Sequence, residues 1–363
     1  MVAGPPPMRF PVPLPWLDEP LRRVLAQGAG HAVLLQGPQG VGQFEFALGL
    51  AQAYLCESGS VEPGSAEPAC GVCASCRLFS AHTHPDLLMV VPDALRELLG
   101  WQASESAGEE TTASATRTKP SKEIRIDDIR EVIAFAQSTS ARGHGKMVVF
   151  HPAESMNPAA SNALLKTLEE PVGRTRFILS CAAPDALLPT VRSRCRAIDL
   201  SLPSTAAALA WLETQGVQEP EVLLRACSGR PLEVLDWVRL GIDAPAWKAI
   251  PGLITKGREA GLAEWPLPLV VQTLLKLCHD MLCIAASSTP RYFPLDSIAS
   301  GSNFAALTDW AAQLRRDARQ CEHPWNAGLK IESLVMQAQI ALCSAEASDG
   351  NGRKPRAFVH SRP

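Results

Sequence analysis

The chain has 363 residues, 46% of them hydrophobic but only 6% aromatic, which is too long for one ordinary compact core and implies two or three helix-rich domains. A formal net charge of −3 argues against a protein that holds nucleic acid on its own through a broad basic face. The opening stretch MVAGPPPMRFPVPLPW contains no apolar run of signal-peptide length, and the longest apolar stretch, residues 266–286, carries Lys276, His279 and Asp280. That pattern fits a buried or amphipathic helix better than a membrane span, so a cytoplasmic location, no membrane partner and eleven reduced cysteines are expected.

Residues 32–35 read as a buried strand that runs into Gly37-Pro38-Gln39-Gly40-Val41-Gly42, the glycine spacing of a phosphate-binding loop that opens a helix. In a working loop of this type, backbone N–H groups hold the phosphates, a lysine neutralises their charge and a hydroxyl holds magnesium. Here those two positions are Gln43 and Phe44, which supply neither charge nor metal ligand. The second magnesium element, an acidic pair at the end of a later strand, is missing too, because the strand at 147–150 ends in His151-Pro152-Ala153-Glu154. The degenerate loop Gly37, Gly40, Gly42 and Gln43 is therefore expected to bind no ATP and no Mg2+, and the chain is not expected to hydrolyse ATP.

Downstream, Cys70, Cys73 and Cys76 are spaced C-x-x-C-x-x-C, and Cys56 lies thirteen intervening residues earlier, at the end of the helix that the glycine loop opens. A loop can fold three such thiols around one ion, and four thiolates complete a closed, tetrahedral, structural zinc site. Reduced thiols packed as small hydrophobes are the alternative, but residues 57–69 are too polar and too rich in Pro and Gly for that. His82 and His84 lie nearby, although four sulfurs already suffice.

Short β-like runs at 87–91, 147–150 and 177–179 alternate with helical patterns, the mark of a parallel sheet covered by helices. Ile126, Ile129, Val132, Ile133 and Ala136 fall on one helical face, and Asn157-Pro158 reads as an N-cap followed by proline at the first helical position, with Pro171 stopping that helix. Between them, residues 96–122 lose apolar periodicity and read as a mobile insertion. Arg192, Arg194 and Arg196 alternate in six residues, either as a solvated basic face or as a source of an arginine finger for a phosphate on a neighbouring subunit. Beyond residue 200 only helical patterns remain, with Ser204 or Thr205 able to cap one helix and Gly229 able to end the next. The basic tail SDGNGRKPRAFVHSRP is expected to be disordered.

The order of these features carries a resemblance. A degenerate loop, the cysteine cluster, Thr83-His84-Pro85-Asp86, the helix from Ser161 through Asn162-Ala163-Leu164-Leu165-Lys166-Thr167-Leu168-Glu169-Glu170 to Pro171, and Ser193-Arg194-Cys195 together resemble the delta-prime subunits of the bacterial DNA polymerase III clamp loader, a branch of the AAA+ family. The similarity runs over residues 15–200 and is weak beyond, where it rests on NAGLKIESL at 326–334. It implies an α/β AAA+ domain with a parallel sheet flanked by helices (1–201), a small helical lid (202–246), an all-α collar that oligomerises (247–345) and the tail (346–363), with the cysteine module at 56–76 and the insertion at 96–122 inside the first domain.

The resemblance also implies a role. Such a subunit sits in a hetero-pentamer with clamp-loader ATPase subunits and a clamp-opening subunit, supports ATP-dependent loading of the sliding clamp onto primed DNA, and is a component of a DNA-directed DNA polymerase (nucleotidyltransferase) holoenzyme with no intrinsic ATPase. Arg194 would then act in trans on a neighbour's ATP, and Cys56, Cys70, Cys73 and Cys76 would be the Zn2+ ligands. Arg230, near the position where motor subunits sense nucleotide, would have nothing to sense. Two other readings compete. An active AAA+ motor subunit is disfavoured by Gln43, Phe44 and the missing acidic pair, and a zinc-dependent nucleic-acid-binding module by the lack of a basic, aromatic-rich stripe.

Overall fold

The computed structural model describes residues 14–28, 30–58, 67–101, 120–258, 261–298, 303–321, 323 and 325–343. They fall into two compact units divided between residues 207 and 208. The first contains α1 (Pro15–Gln27), β1 (Ala32–Gln36), α2 (Gln43–Leu55), α3 (Ala74–Ser80), β2 (Leu87–Val90), α4 (Asp93–Leu99), α5 (Ile126–Gln137), β3 (Lys146–Phe150), α6 (Pro158–Glu169), β4 (Thr175–Cys181), α7 (Pro189–Arg192) and β5 (Arg196–Asp199). The strands form one sheet in the order β2-β3-β4-β1-β5, every pair parallel. A parallel five-stranded sheet flanked by helices is the AAA+ α/β architecture that the resemblance implies. Because β1 lies between β4 and β5, its carboxyl end opens where the strand order reverses, the crevice in which open parallel sheets bind ligands.

The central strands explain themselves chemically. β3 (KMVVF) is buried at every position and β4 (TRFILSC) at all but Arg176, as expected of strands covered on both faces. Phe150 and Phe177 pack with Leu34, Val148, Leu164 and Leu168 in one core cluster. The one cation in β3, Lys146, donates from Nζ to the Phe135 carbonyl at 2.5 Å and to the Ser138 hydroxyl, at the carboxyl end of α5 where unpaired carbonyls favour positive charge. At the start of α6, the Asn157 side chain accepts from the Ala160 N–H at 2.9 Å and Pro158 takes the first helical position.

Two sequence expectations are corrected, and one strand that the sequence reading does not contain is present. The fifth strand, β5, escapes a reading by apolar pattern because its four residues are mostly exposed and two of them are charged. Ile126 starts α5 exposed rather than on its buried face, which consists of Ile129, Val132 and Ala136. The segment 96–122 is not an insertion along its whole length. Arg96 to Leu99 complete α4, Gly100 closes it in the left-handed conformation, and the Trp101 N–H returns to the Arg96 carbonyl at 3.0 Å. Trp101 is buried and stacks on His82 at 4.0 Å, and the Ser121 carbonyl accepts from the Ala94 N–H. Residues 102–119 lie outside the described residues, as does the tail at 346–363.

The chain enters the second unit within α8 (Thr205–Thr214) and continues as α9 (Pro220–Ala226), α10 (Pro231–Arg239), α11 (Ala244–Thr255), α12 (Leu267–Ala285), α13 (Phe304–Ala318) and α14 (Ala327–Cys343). Ser204 accepts from the Ala207 N–H at the start of α8, and Gly229, at φ 83°, closes α9. Trp247 stands at the centre of this unit, stacked on Phe293 at 4.3 Å and tilted against Trp237 at 4.8 Å. By length and composition α12 could cross a membrane, yet half of its most apolar window is buried inside the unit. Its fully buried Asp280 accepts from the N–H groups of Arg291, Tyr292 and Phe293, each at 2.7 Å, which folds the following loop back onto the helix. A buried carboxylate satisfied by three backbone donors belongs to a protein core.

The burial of Trp101 generates a test. Trp101→Ala should lower the unfolding free energy by about 3 kcal/mol, the usual cost of removing a buried aromatic side chain. Urea unfolding of the two chains measures it, and a change below about 0.5 kcal/mol would mean that Trp101 contributes no packing.

Candidate functional site

The loop between β1 and α2 is held tightly from three sides. At Gly37 a Cβ would come within 2.4 Å of the Leu200 carbonyl oxygen, so glycine is required where β5 leaves the sheet alongside β1. Gly42 caps α2 at φ 108°, and a Cβ there would meet the side chains of Leu14 and Leu17 at 2.5 and 2.9 Å. The Trp16 indole N–H donates to the Val41 carbonyl at 2.8 Å, so α1 and the residue before it seal the outer side of the turn.

Gln43 is the residue that fills the loop. It is 6% exposed, and its Nε2 donates to the carbonyls of Gly37 at 2.6 Å and Pro38 at 2.8 Å. The side chain at the lysine position is thus turned back onto the loop itself. Phe44, at the hydroxyl position, is buried with its ring centroid 4.4 Å from that of His151. His151 in turn pairs through Nδ1 with the Ser180 hydroxyl at 2.5 Å. Where a metal-dependent site would set a hydroxyl against a carboxylate, two rings are packed together. The carboxylates that follow these strands make contacts of their own, although Glu154 Oε2 is buried without a hydrogen-bond partner. Glu154 accepts from the N–H groups of Ala182 and Ala183 at 2.9 and 3.2 Å, and Asp199 accepts from the Gln36 amide at 2.6 Å.

The four cysteines predicted as ligands come together. Cys56 ends α2, Cys70 lies in a loop, Cys73 caps α3, and Cys76 stands in the first turn of α3, so the cluster is partly helical rather than wholly loop. All four Sγ atoms lie within 4.8 Å of one another, with 4.0 Å between Cys56 and Cys73 and between Cys70 and Cys76. Tetrahedral zinc with sulfur at about 2.3 Å needs sulfurs about 3.8 Å apart, so the donor set fits the metal once its widest pairs draw in by up to about 1 Å. Backbone N–H groups of Cys70, Cys73 and Cys76 point at the sulfurs of Cys56, Cys70 and Cys73 at 3.3–3.4 Å, an arrangement that favours thiolate. The Ser58 hydroxyl and the N–H groups of Val72 and Cys73 hold the Cys70 thiol below the usual range, whereas burial pushes Cys76 up.

Neither nearby histidine is a ligand. His84 is buried, its Nδ1 accepts from the Asp86 N–H at 3.0 Å, and its Nε2 therefore donates to the Ser75 hydroxyl at 2.6 Å, which donates to the Leu55 carbonyl at 2.5 Å. His82 pairs with the Gly100 carbonyl and stacks on Trp101. The sequence picks out Thr83-His84-Pro85-Asp86 without assigning it a task; the fold uses it as a buried polar connector. Asp86 accepts from the N–H groups of Ala141 and Arg142 at 2.7 and 2.9 Å, and the Arg142 guanidinium grips Glu57, next to Cys56. The cysteine module is thereby keyed to the loop that leads into β3.

The three arginines are not equivalent. Arg192 pairs with Asp185 at 3.0 Å, and Arg196 donates to Gln27 at 2.7 Å and to the Gly28 carbonyl, tying β5 to the end of α1. Arg194 sits on the turn between α7 and β5, in a shallow cleft shared with Gly28, Gly30, His31 and Ala32. It pairs with Glu169 at the end of α6, a partner 25 residues away that local spacing does not reveal. Arg230, in the second unit, pairs with Glu233 at 2.7 Å and donates to the Cys227 carbonyl at 2.8 Å.

The His151 contact predicts a pH dependence. Burial holds the His151 pKa near 4, against 6.5 for an ordinary histidine, so the unfolded chain takes up this proton first. The stability it confers is complete above about pH 6.5 and is lost as pH falls towards 4. Urea unfolding from pH 7 to pH 4.5 should show a decline smaller by on the order of 2 kcal/mol in His151→Phe, which has no such proton to bind. Parallel declines in the two chains would show that His151 is not held neutral.

Comparison with known proteins covers the first unit most consistently and in one relative extends over most of the chain. The family model described as DNA polymerase III, delta subunit, matches residues 19–204. The chain is 32% identical to DNA polymerase III subunit delta' of Pseudomonas aeruginosa over 329 residues, covering 85% of this chain and 91% of that one. It is 32% identical over 216 residues to the Escherichia coli subunit delta', covering 58% and 56% of the two chains. With the Escherichia coli subunit tau it shares 33% identity over 165 residues, 46% of this chain and 20% of that one.

Proposed function

Since the chain belongs to the delta-prime family of DNA polymerase III subunits, we propose that it is the non-hydrolysing member of the clamp loader, supporting ATP-dependent loading of the sliding clamp onto primed DNA. The observation that carries this reading is the filled loop. With the Gln43 amide bound to the carbonyls of Gly37 and Pro38, and Phe44 packed on His151, the chain offers a polyphosphate neither the lysine nor the metal of a working site. A subunit of an ATP-driven assembly that lacks this chemistry acts on nucleotide held by a neighbour.

Arg194 is the group proposed for that task. It is permanently charged, it lies near the surface on a turn between α7 and β5, and its planar fork suits a phosphate oxygen pair. Arg192 engages Asp185, Arg194 engages Glu169 and Arg196 engages the end of α1, so the three do not form one shared solvated face. The partners of this reading are the clamp-loader ATPase subunits and the clamp-opening subunit of a hetero-pentamer, with the sliding clamp and primed DNA reached through the complex in the cytoplasm. Arg230 has no sensing role here, which agrees with its pairing to Glu233.

Beyond residue 201 the chain is proposed to comprise the lid (202–246) and the collar (247–345). Support for an assembly surface comes from α14, on which Leu329, Met336 and Ile340 are exposed at 65%, 58% and 62%, spaced along one face. The cysteine cluster is proposed to hold one structural Zn2+ through Cys56, Cys70, Cys73 and Cys76. With four protein ligands the ion would have no open position, and its contribution would be to the folding of the module.

Two tests follow. Metal analysis of the full chain purified without chelator should find about one zinc per chain, and Cys73→Ser should lose most of it and melt at a lower temperature. A metal-free wild-type chain with unchanged melting would contradict the assignment. In a complex reconstituted around this chain, Arg194→Ala should slow hydrolysis at the facing ATP site by up to about 10³-fold, with a smaller loss overall because other sites keep turning over. Arg194→Lys should not restore it, while Arg192→Ala and Arg196→Ala stay near wild type. Equal, near-wild-type clamp-stimulated ATPase in all these variants would reject the finger.

A further inference from the structure

Arg194, as the fold holds it, is already occupied. Its Nε donates to Glu169 Oε1 at 2.5 Å, and a second guanidinium nitrogen, Nη2, bonds the same oxygen. Nη1 donates to the Thr190 carbonyl at 2.9 Å and to the Ser193 hydroxyl at 3.5 Å. Of the five N–H groups on a guanidinium, four are therefore turned towards this chain. A two-pronged contact with a phosphate on another subunit requires at least one of these bonds to be released.

The carboxylate that holds the fork is oddly placed by local rules. Glu169 is the last residue of α6, where the helix presents unpaired carbonyls and a negative side chain is unfavourable. The end of the helix is itself fixed, because the His31 ring donates to the Leu168 carbonyl at 2.9 Å and Leu168 is fully buried. Glu169 thus projects from a rigid platform, while Arg194 projects from the short turn between α7 and β5. Both are part-exposed, 46% for Glu169 and 31% for Arg194, so an anion arriving from solvent or from a neighbour can compete for the guanidinium.

From this geometry we infer that Glu169 is a positioning residue for Arg194: its carboxylate parks the guanidinium at the end of α6, and exchange of that carboxylate for an anion on the adjoining subunit is the step that brings Arg194 into use. The inference rests on the proposed trans-acting role of Arg194. An exposed ion pair is a weak restraint, so the exchange is easily made and the parked state costs the assembly only a small factor in engagement. Because the parked pair must break before either the bound ATP or its transition state is contacted, the cost falls equally on both. Its removal should therefore appear in KM and not in kcat.

The test uses the reconstituted complex carrying wild-type chain, Glu169→Gln, Arg194→Ala or both substitutions, with ATP turnover followed over a range of ATP concentrations. Glutamine keeps the shape of the side chain and removes its charge. Glu169→Gln should lower KM for ATP by about two- to fivefold with kcat within about twofold of wild type. In the Arg194→Ala background, the same change should do nothing. In the isolated full chain, the Arg194 Nε–H resonance should move when Glu169 becomes Gln, while the melting temperature stays within a few degrees. An unchanged KM, a lowered kcat, an effect that persists without Arg194, or an unmoved resonance would each overturn the inference. If Arg194→Ala alone leaves turnover unchanged, the trans-acting reading falls and this inference falls with it. If Arg194→Ala is impaired but Glu169→Gln is neutral, only this inference falls.

Discussion

The Gln43 amide, donating to the carbonyls of Gly37 and Pro38, closes the turn between β1 and α2 at the point where the strand order of the sheet reverses. A ligand entering that turn would have to displace a buried amide from two acceptors, and stranding such a group costs about 1–3 kcal/mol. In exchange it would find glutamine where a polyphosphate needs a fixed cation. The neighbouring contacts reinforce the closure. Leu14 and Leu17 cover Gly42, Trp16 bonds to Val41, and Phe44 lies on His151. Together these contacts make the turn a packed corner of the core, which supports the proposal that it holds no nucleotide. The parallel sheet requires a tight strand-to-helix connection at this place, and Gly37 and Gly42 have no room for a Cβ there, which accounts for glycine at both positions whether or not a nucleotide is bound.

The rest of the first unit hangs from that corner. α2 runs out of the turn and delivers Cys56 to the cysteine cluster, so the closed loop and the module are the two ends of one buried helix. The module is then secured from the opposite side by uncharged hydrogen bonds through Ser75 and His84 and by the carboxylate of Asp86. Arg142 and Glu57 complete the connection at the surface. Protonating His84 would destroy its acceptor role towards the Asp86 N–H, and burial correspondingly holds its pKa low. Function in this unit is thus divided by face. The hydrogen bonds on the cysteine side hold the module in place, and Arg194, the arginine proposed to act on another subunit, lies at the far end of α6, beside β5.

Much of this was legible in the sequence, and what was not has a physical reason. The glycine spacing, the missing lysine at Gln43, the four cysteines, the Asn157 cap and the three long buried strands are local patterns, fixed by neighbours a few residues apart. The fold of Gln43 back onto its own loop is also local, but an amide could equally face solvent, and residue type alone does not decide between them. Glu169 and Arg194 meet across 25 residues of chain, and Trp101 meets His82 across a boundary that composition places inside a polar insertion. β5 hides because an edge strand with exposed charges has no apolar alternation to betray it. Long-range pairings of short, charged or single aromatic residues are where sequence periodicity carries least information.

On the function proposed above, this chain keeps the shape of a nucleotide site without its capacity and leaves the nucleotide to a neighbour. Calorimetric titration of the isolated full chain with magnesium-ATP tests it most directly. No saturable binding is expected at ATP concentrations up to about 1 mM, equivalent to a binding free energy weaker than about −4 kcal/mol. A saturable isotherm with a micromolar Kd, abolished by substitutions at Gln43, would contradict it.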